Sequence, residues 1–204
     1  MHKKTVKKEE VYNFLLDISK EIAKKKSGAL FVISDNKYFD DLYEPLYPQA
    51  IANTSIFQKG AKELIVKLAE LDGAFLVNEE GVLHAFGARI LKSKALPGYG
   101  TKHAAAVGVT SNIKPSVAIL VSEENHWIKI FKDGKILVEM DSSKTPAPIM
   151  NKVVSFVTDN DTALLATAGA SAAIMGFIPV VIVSGTYLAI KTASGIIKKS
   201  FGSN

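Results

Sequence analysis

Polar and apolar positions along the chain follow two different periods. Between about Lys8 and Lys26, Val11, Phe14, Leu15, Ile18 and Ile22 recur at spacings of three and four, with charges between them. That spacing predicts an amphipathic helix with one face on a core. Ser27-Gly28 ends it, and the apolar run ALFVIS (Ala29 to Ser34) reads as a short buried strand. The stretch DNKYFDDLYEPLYPQ is polar and aromatic, holds two prolines, and reads as a loop. Leu64, Ile65 and Leu68 mark a second helix from about Gln58 to Leu71. GAFLVNEEGVLHAFGARI predicts two strands around a Glu79-Glu80-Gly81 turn. GYGTKHAAAVGV predicts a loop entering a helix, VAILVS (Val117 to Ser122) a strand, and IKIFKDGKILVEM a hairpin turning at Asp133-Gly134. Helices alternating with partly hairpin-paired strands predict an α/β fold with a mixed central β-sheet flanked by helices.

The pattern changes after Asp161. No charged residue occurs from Thr162 to Ile190, and about 20 apolar residues suffice to cross a bilayer. Two units are therefore expected: a domain of ordinary size at 8–150 and a hydrophobic, membrane-associated helical tail at 158–200. Small residues four apart, Ala168/Ala172 and Ala172/Gly176, suit close helix packing in lipid. A single pass with the body inside would put Lys191, Lys198 and Lys199 outside, against the positive-inside tendency. A hairpin bending near Gly176 to Pro179 would keep both ends inside, and a buried helical hairpin in a soluble oligomer is the other reading.

With 204 residues and 48% hydrophobic content, the chain can bury a real core. Its net charge is +5, with lysines clustered at Lys3, Lys4, Lys7 and Lys8 and again at Lys24, Lys25 and Lys26. Such runs are solvated helix faces or attract a nucleotide or anionic lipid. The absence of cysteine excludes disulfides, thiol catalysis and cysteine metal sites. The opening MHKKTVKKEEVYNFLL lacks the long apolar core of a secretory signal. The domain is therefore expected in the cytoplasm, at the inner face of the cell membrane. Lysines are not interleaved with aromatics along the strands, so nucleic acid is not an expected partner.

Three stretches could carry chemistry. In Leu71-Asp72-Gly73-Ala74 an acid stands where a helix meets a strand, although Asp before Gly is ordinarily a turn residue. In Gly98 to Ala106 (GYGTKHAAA), Gly100 frees the backbone, Thr101 offers a hydroxyl, Lys102 a charge, and a helix start its amides to an anion. His103 could meet a metal or a phosphate oxygen, or be a packed histidine. Ser122-Glu123-Glu124-Asn125 leaves the VAILVS strand, where ligand-binding residues collect in open sheets, although paired glutamates there commonly face solvent.

In this order and spacing the three stretches resemble the diadenylate cyclase (DAC) domain family, over roughly Lys8 to Val138. Members of that family condense two ATP molecules into cyclic di-AMP with release of two pyrophosphates. The resemblance implies a face-to-face homodimer with ATP as substrate and magnesium or manganese as cofactor. It implies Asp72, His103 and Glu123 as catalytic residues. Gly73, Ala74, Gly100, Thr101, Lys102, His103 and Ser122 would bind ATP, and Asp72, Glu123 and Glu124 would hold metal. Where other members carry Arg-His-Arg, this chain has Lys102-His103-Ala104. Leu71 stands where bacterial relatives often have a histidine. Lysine keeps a point charge but not the bidentate fork, so a non-catalytic sensor of ATP or cyclic di-AMP is the alternative. A membrane scaffold that binds no nucleotide is a third reading.

Overall fold

Lys8–Lys24 forms helix α1, which buries Val11, Leu15, Ile18 and Ile22 along one face. Its end is set by Lys26, whose φ of 58° is left-handed and turns the chain out of the helix. The computed structural model describes residues 7–95, 98–141 and 147–159, together with three backbone segments between 172 and 190. Strand β1 (Ala29–Ser34) follows α1 and is buried throughout. Phe31 and Ile33 enter one apolar cluster and Leu30 and Val32 another. Alternate side chains of one strand thus feed cores on opposite faces, which is why its sequence is continuously apolar rather than alternating.

The remaining elements are β2 (Tyr43–Pro45), β3 (Thr54–Ser55), α2 (Ala61–Leu68), β4 (Ala74–Asn78), β5 (Val82–Ile90), α3 (Thr101–Asn112), β6 (Val117–Val121), β7 (Trp127–Lys132), β8 (Lys135–Asp141) and α4 (Ala147–Asp159). The strands form one sheet in the order β2-β5-β4-β1-β6-β7-β8, with β3 also on β5. β1 runs parallel to β4 and antiparallel to β6, and the other pairs are antiparallel. The mixed sheet flanked by helices is as the sequence pattern predicts. Residues of α1, α2 and α4 share the first core, and those of α3 the second. Among the described residues one face therefore carries α1, α2 and α4, and the other carries α3, which begins in the glycine-rich loop.

Several elements differ from expectation. The DNKYFDDLYEPLYPQ stretch contains β2 at the sheet's edge, where Pro45 is tolerated. α2 is shorter than 58–71 because Gly60, at φ 85°, starts it late. α4 was not expected at all. Met150, Val153, Val154 and Val157 lie at helical spacing and pack with α1, so a domain limit at 150 cuts through a packed helix, and the first unit runs through α4.

The expectation of a helical tail at 158–200 is corrected where the tail is described. Ala172–Met175, Ile178–Val183 and Thr186–Ile190 are strands β9, β10 and β11, with β11 antiparallel to β8. The density of branched residues in IPVVIV suits a strand. No helix among the described residues is long and apolar enough to cross a membrane. The expected bend near Gly176 to Pro179 lies partly outside the described residues.

Candidate active site

Asp72 follows α2 and stands at the entry to β4. It is held there by a close approach of two backbones. Gly73 has φ 103°, and a Cβ on it would collide with the main chain of Gly87 in β5. No other residue type meets both demands. Asp72 is exposed and has no ion pair or hydrogen bond among the described residues. Its carboxylate is open to a ligand.

The start of α3 is fixed from outside. The Lys94 N–H donates to the Ala104 carbonyl at 2.9 Å, and Gly108 lets the helix lie against the Lys92 carbonyl, where a Cβ has no room. Gly100 is the N-cap and supplies no capping side chain, so the first N–H groups are available to an anion. Ser122 closes a tight turn after β6. Its N–H donates to the Trp127 carbonyl at 2.9 Å, and its carbonyl accepts from the His126 N–H at 3.0 Å. Glu123, projected from that turn, lies over Gly28, where a Cβ would strike its side chain. Lys102 Nζ reaches Glu123 Oε1 at 2.5 Å, joining α3 to β6.

His103 is buried, and its Nε2 has no hydrogen-bond partner among the described residues. Its ring packs 4.6 Å from Tyr99 and edge-on to Phe131 at 6.1 Å. Burial, with the charge of Lys129 second, pushes the imidazole pKa down to about 4, so it is neutral at physiological pH. Lys129 is itself buried, pairs with Glu139 at 3.6 Å and places its ammonium 4.6 Å over the Tyr99 ring.

Two adjoining hollows collect the three motifs. A cleft of about 420 Å³ is lined by Asp72, Gly73 and Ala74 on one side and Thr101 and Lys102 on the other. A smaller one of about 100 Å³ is lined by Gly100, Thr101, Lys102 and His103 and by Ser122, Glu123 and Glu124. Thr101 and Lys102 belong to both. Residues far apart in sequence thus line two hollows that share a wall.

A family model described as DisA bacterial checkpoint controller nucleotide-binding matches residues 17–136. The chain belongs to the diadenylate cyclase domain family. It is 34% identical over 146 residues to a diadenylate cyclase of Methanocaldococcus jannaschii, covering 68% of this chain and 46% of that protein. A diadenylate cyclase of Haloferax volcanii is 26% identical over 141 residues, covering 65% and 51%. The chain therefore spans about half the length of these curated relatives. The fold is similar to that of a double mutant of DacA from Staphylococcus aureus, with TM-score 0.52 and 21% identity, covering 72% of this chain and 94% of that one. A Bacillus cereus structure described as a hypothetical membrane spanning protein gives TM-score 0.50 and 22% identity over 60% of each chain.

Within this DAC domain the expected metal trio does not gather. Asp72 lines the larger cleft, Glu123 and Glu124 the smaller, and Glu123 is engaged by Lys102. No group of three acidic or histidine side chains close enough to hold a metal occurs among the described residues. The donor set still fits a magnesium-like ion, which commonly takes one or two carboxylates and completes its shell with phosphate oxygens and water.

Sequence reading missed the apolar wall of the cleft, made by Leu30, Leu46, Ile90 and Ala105, and the cation Arg89. It also missed Tyr99 and Lys129, which pack around His103. Arg89 had one available signal: it is the only lysine or arginine in the β5 segment, at its far end. Lys129 had none, because a lysine in an alternating strand reads as solvent-facing.

Proposed function

We propose that the protein is a diadenylate cyclase, joining two ATP molecules into cyclic di-AMP with release of two pyrophosphates across a face-to-face dimer. The observation that carries this reading is that the two hollows share Thr101 and Lys102, with Asp72 in the larger and His103 and Ser122 in the smaller. The larger cleft, with its apolar wall, suits the nucleoside. The smaller, with helix-start amides, Lys102 and Ser122, suits the phosphates.

In each half-reaction the 3′-oxygen of one ATP bonds to the α-phosphorus of the other. The bond from that phosphorus to the bridging oxygen breaks, and pyrophosphate departs with the electron pair. Asp72, open and unpaired, accepts the hydroxyl proton and orients the oxygen. Thr101 and Lys102 hold the triphosphate, Lys102 as a point charge. His103, neutral, contributes a hydrogen bond rather than a charge. Gly73 and Gly100 let the backbone approach the nucleotide. Asp72 would hold a divalent cation, magnesium or manganese, together with phosphate oxygens, and that ion would supply neutralisation of charge on the transferred group.

The test is incubation of the full chain with ATP and manganese or magnesium, and detection of cyclic di-AMP by mass spectrometry. A second reading is a nucleotide sensor, favoured by the engagement of Lys102 with Glu123, which occupies the main phosphate-facing cation. Tight ATP binding without product under either metal would select it. Attachment to the cytoplasmic face of a membrane through 162–190 is also part of the proposal, supported by the uncharged run. Recovery of the full chain in the soluble fraction of a lysate would reject it.

A further inference from the structure

Tyr99 stands immediately before the N-cap of α3, in a turn whose backbone has open space around it. Gly98 is left-handed at φ 80°, and a Cβ on Gly98 or on Gly100 would meet nothing within 4 Å. Tyr99 itself makes no hydrogen bond among the described residues. A residue flanked by two glycines has much backbone freedom to lose on ordering. What locates this turn among the described residues is the Tyr99 ring.

The ring meets two side chains from different elements. The His103 imidazole, in the first turn of α3, is 4.6 Å away, centroid to centroid. The Lys129 ammonium stands 4.6 Å over the same ring. Lys129 lies on β7 opposite Leu120 of β6 and Glu139 of β8. Leu120 belongs to the core on the α3 side, as does Phe131 two residues beyond Lys129, so Lys129 projects from that face of the sheet. It is buried, and its ammonium pairs with Glu139 at 3.6 Å. The cation is therefore fixed to the sheet before the ring covers it. An aromatic face holds a desolvated cation more strongly than an exposed one.

Resting on the cyclase reading, in which the α3 start binds triphosphate, and deepening it, we infer that Tyr99 is a positioning residue for ATP. Its ring, seated against Lys129 and His103, sets the turn that presents Gly100, Thr101 and Lys102 to the phosphates. Two other contacts hold α3 to the segment after β5: the Lys94 N–H on the Ala104 carbonyl, and Gly108 against the Lys92 carbonyl. Both act on the body of the helix, and neither reaches the residues before its N-cap. Tyr99 does. With the turn preset, the free N–H groups of the first turn need no ordering when a triphosphate arrives, and affinity is higher by what that ordering would cost. The contact is made by the ring face, so the hydroxyl has no part in it. The role lies in binding, through Gly100 to Lys102, and not in the chemical step.

The experiment measures, in the full chain with magnesium, the dissociation constant of an ATP analogue carrying carbon in place of the α–β bridging oxygen, beside turnover at saturating ATP. Tyr99→Leu is expected to weaken analogue binding about tenfold, with turnover at saturating ATP within about threefold of wild type. Tyr99→Phe keeps the ring face and restores the affinity. The pair Lys129→Met, Glu139→Leu removes the ammonium without stranding its carboxylate, and Tyr99→Leu made in that background costs no more than about threefold in affinity. Unchanged affinity in Tyr99→Leu, equal losses in Tyr99→Leu and Tyr99→Phe, or the full tenfold loss in the background without Lys129 overturns the inference. Wild type run in parallel keeps the two levels apart. If it binds the analogue and makes no product from ATP, the cyclase reading falls and the affinity comparison still decides on Tyr99. If it binds no nucleotide, both fall together.

Discussion

Lys102 Nζ and Glu123 Oε1 lie 2.5 Å apart, tying the first turn of α3 to the turn that ends β6. The lysine is the more enclosed partner, 22% accessible against 60% for the glutamate. An exposed pair of this kind contributes about 0–1 kcal/mol to stability. Its consequence is positional: the cation is held where the two hollows meet, in a motif where it stands without flanking guanidiniums.

Removing that cation therefore acts on function more than on folding. Lys102→Ala is expected to lower kcat/KM for ATP by about 10- to 100-fold, the loss of one charge-assisted phosphate contact worth about 1.5–3 kcal/mol. The melting temperature should stay within a few degrees. Steady-state kinetics with a parallel thermal melt checks both halves. Full activity in the variant would leave phosphate binding to the backbone and the metal alone.

Asp72 presents the opposite situation, a carboxylate with no partner among the described residues. Asp72→Asn is nearly isosteric and disturbs no contact, so folding should be unchanged. Product formation should fall by at least about 100-fold, the scale of a lost proton acceptor. Mass spectrometry of the reaction mixture reads this directly. Retained turnover would dismiss Asp72 from the chemistry.

How far the site was legible depended on whether a residue's role lies in its local sequence or in its neighbours. Asp72-Gly73-Ala74, Gly100 to His103 and Ser122 to Glu124 were visible because turns and helix starts leave local marks: glycines, a strand end, a polar break. β1, the two hairpins and α1 were visible because burial on one or two faces imposes a period. Lys129 was not, because its role arises from cross-strand pairing with Glu139 that no local window reveals. The tail was misread for a related reason. An uncharged run fits a helix and a set of strands equally well, and only pairing with β8 distinguishes them.

The buried Lys129–Glu139 pair gives a stability prediction. Glu139→Gln leaves a buried ammonium with its charge uncompensated and should cost about 3 kcal/mol. The double variant Lys129→Met, Glu139→Leu removes both charges and should recover most of that loss. Chemical denaturation of Lys129→Met, of Glu139→Leu and of the double variant closes the cycle. Additive losses would show that the two side chains do not stabilise one another.

His103 predicts how stability depends on pH. Its ordinary pKa near 6.5 is lowered to about 4, by burial first and by the Lys129 charge second. The unfolded chain therefore takes up a proton at this residue at higher pH than the folded one does. The sign follows: the stability is fully present above about pH 6.5 and is lost progressively as pH falls toward 4, where the folded form also protonates. His103→Gln keeps a polar side chain of similar reach and cannot take up the proton. Denaturation midpoints measured from pH 7 to 4 should fall less steeply for this variant than for wild type. Parallel slopes would mean that His103 is solvated or hydrogen-bonded in solution, and its neutral role at the phosphates would go with that result.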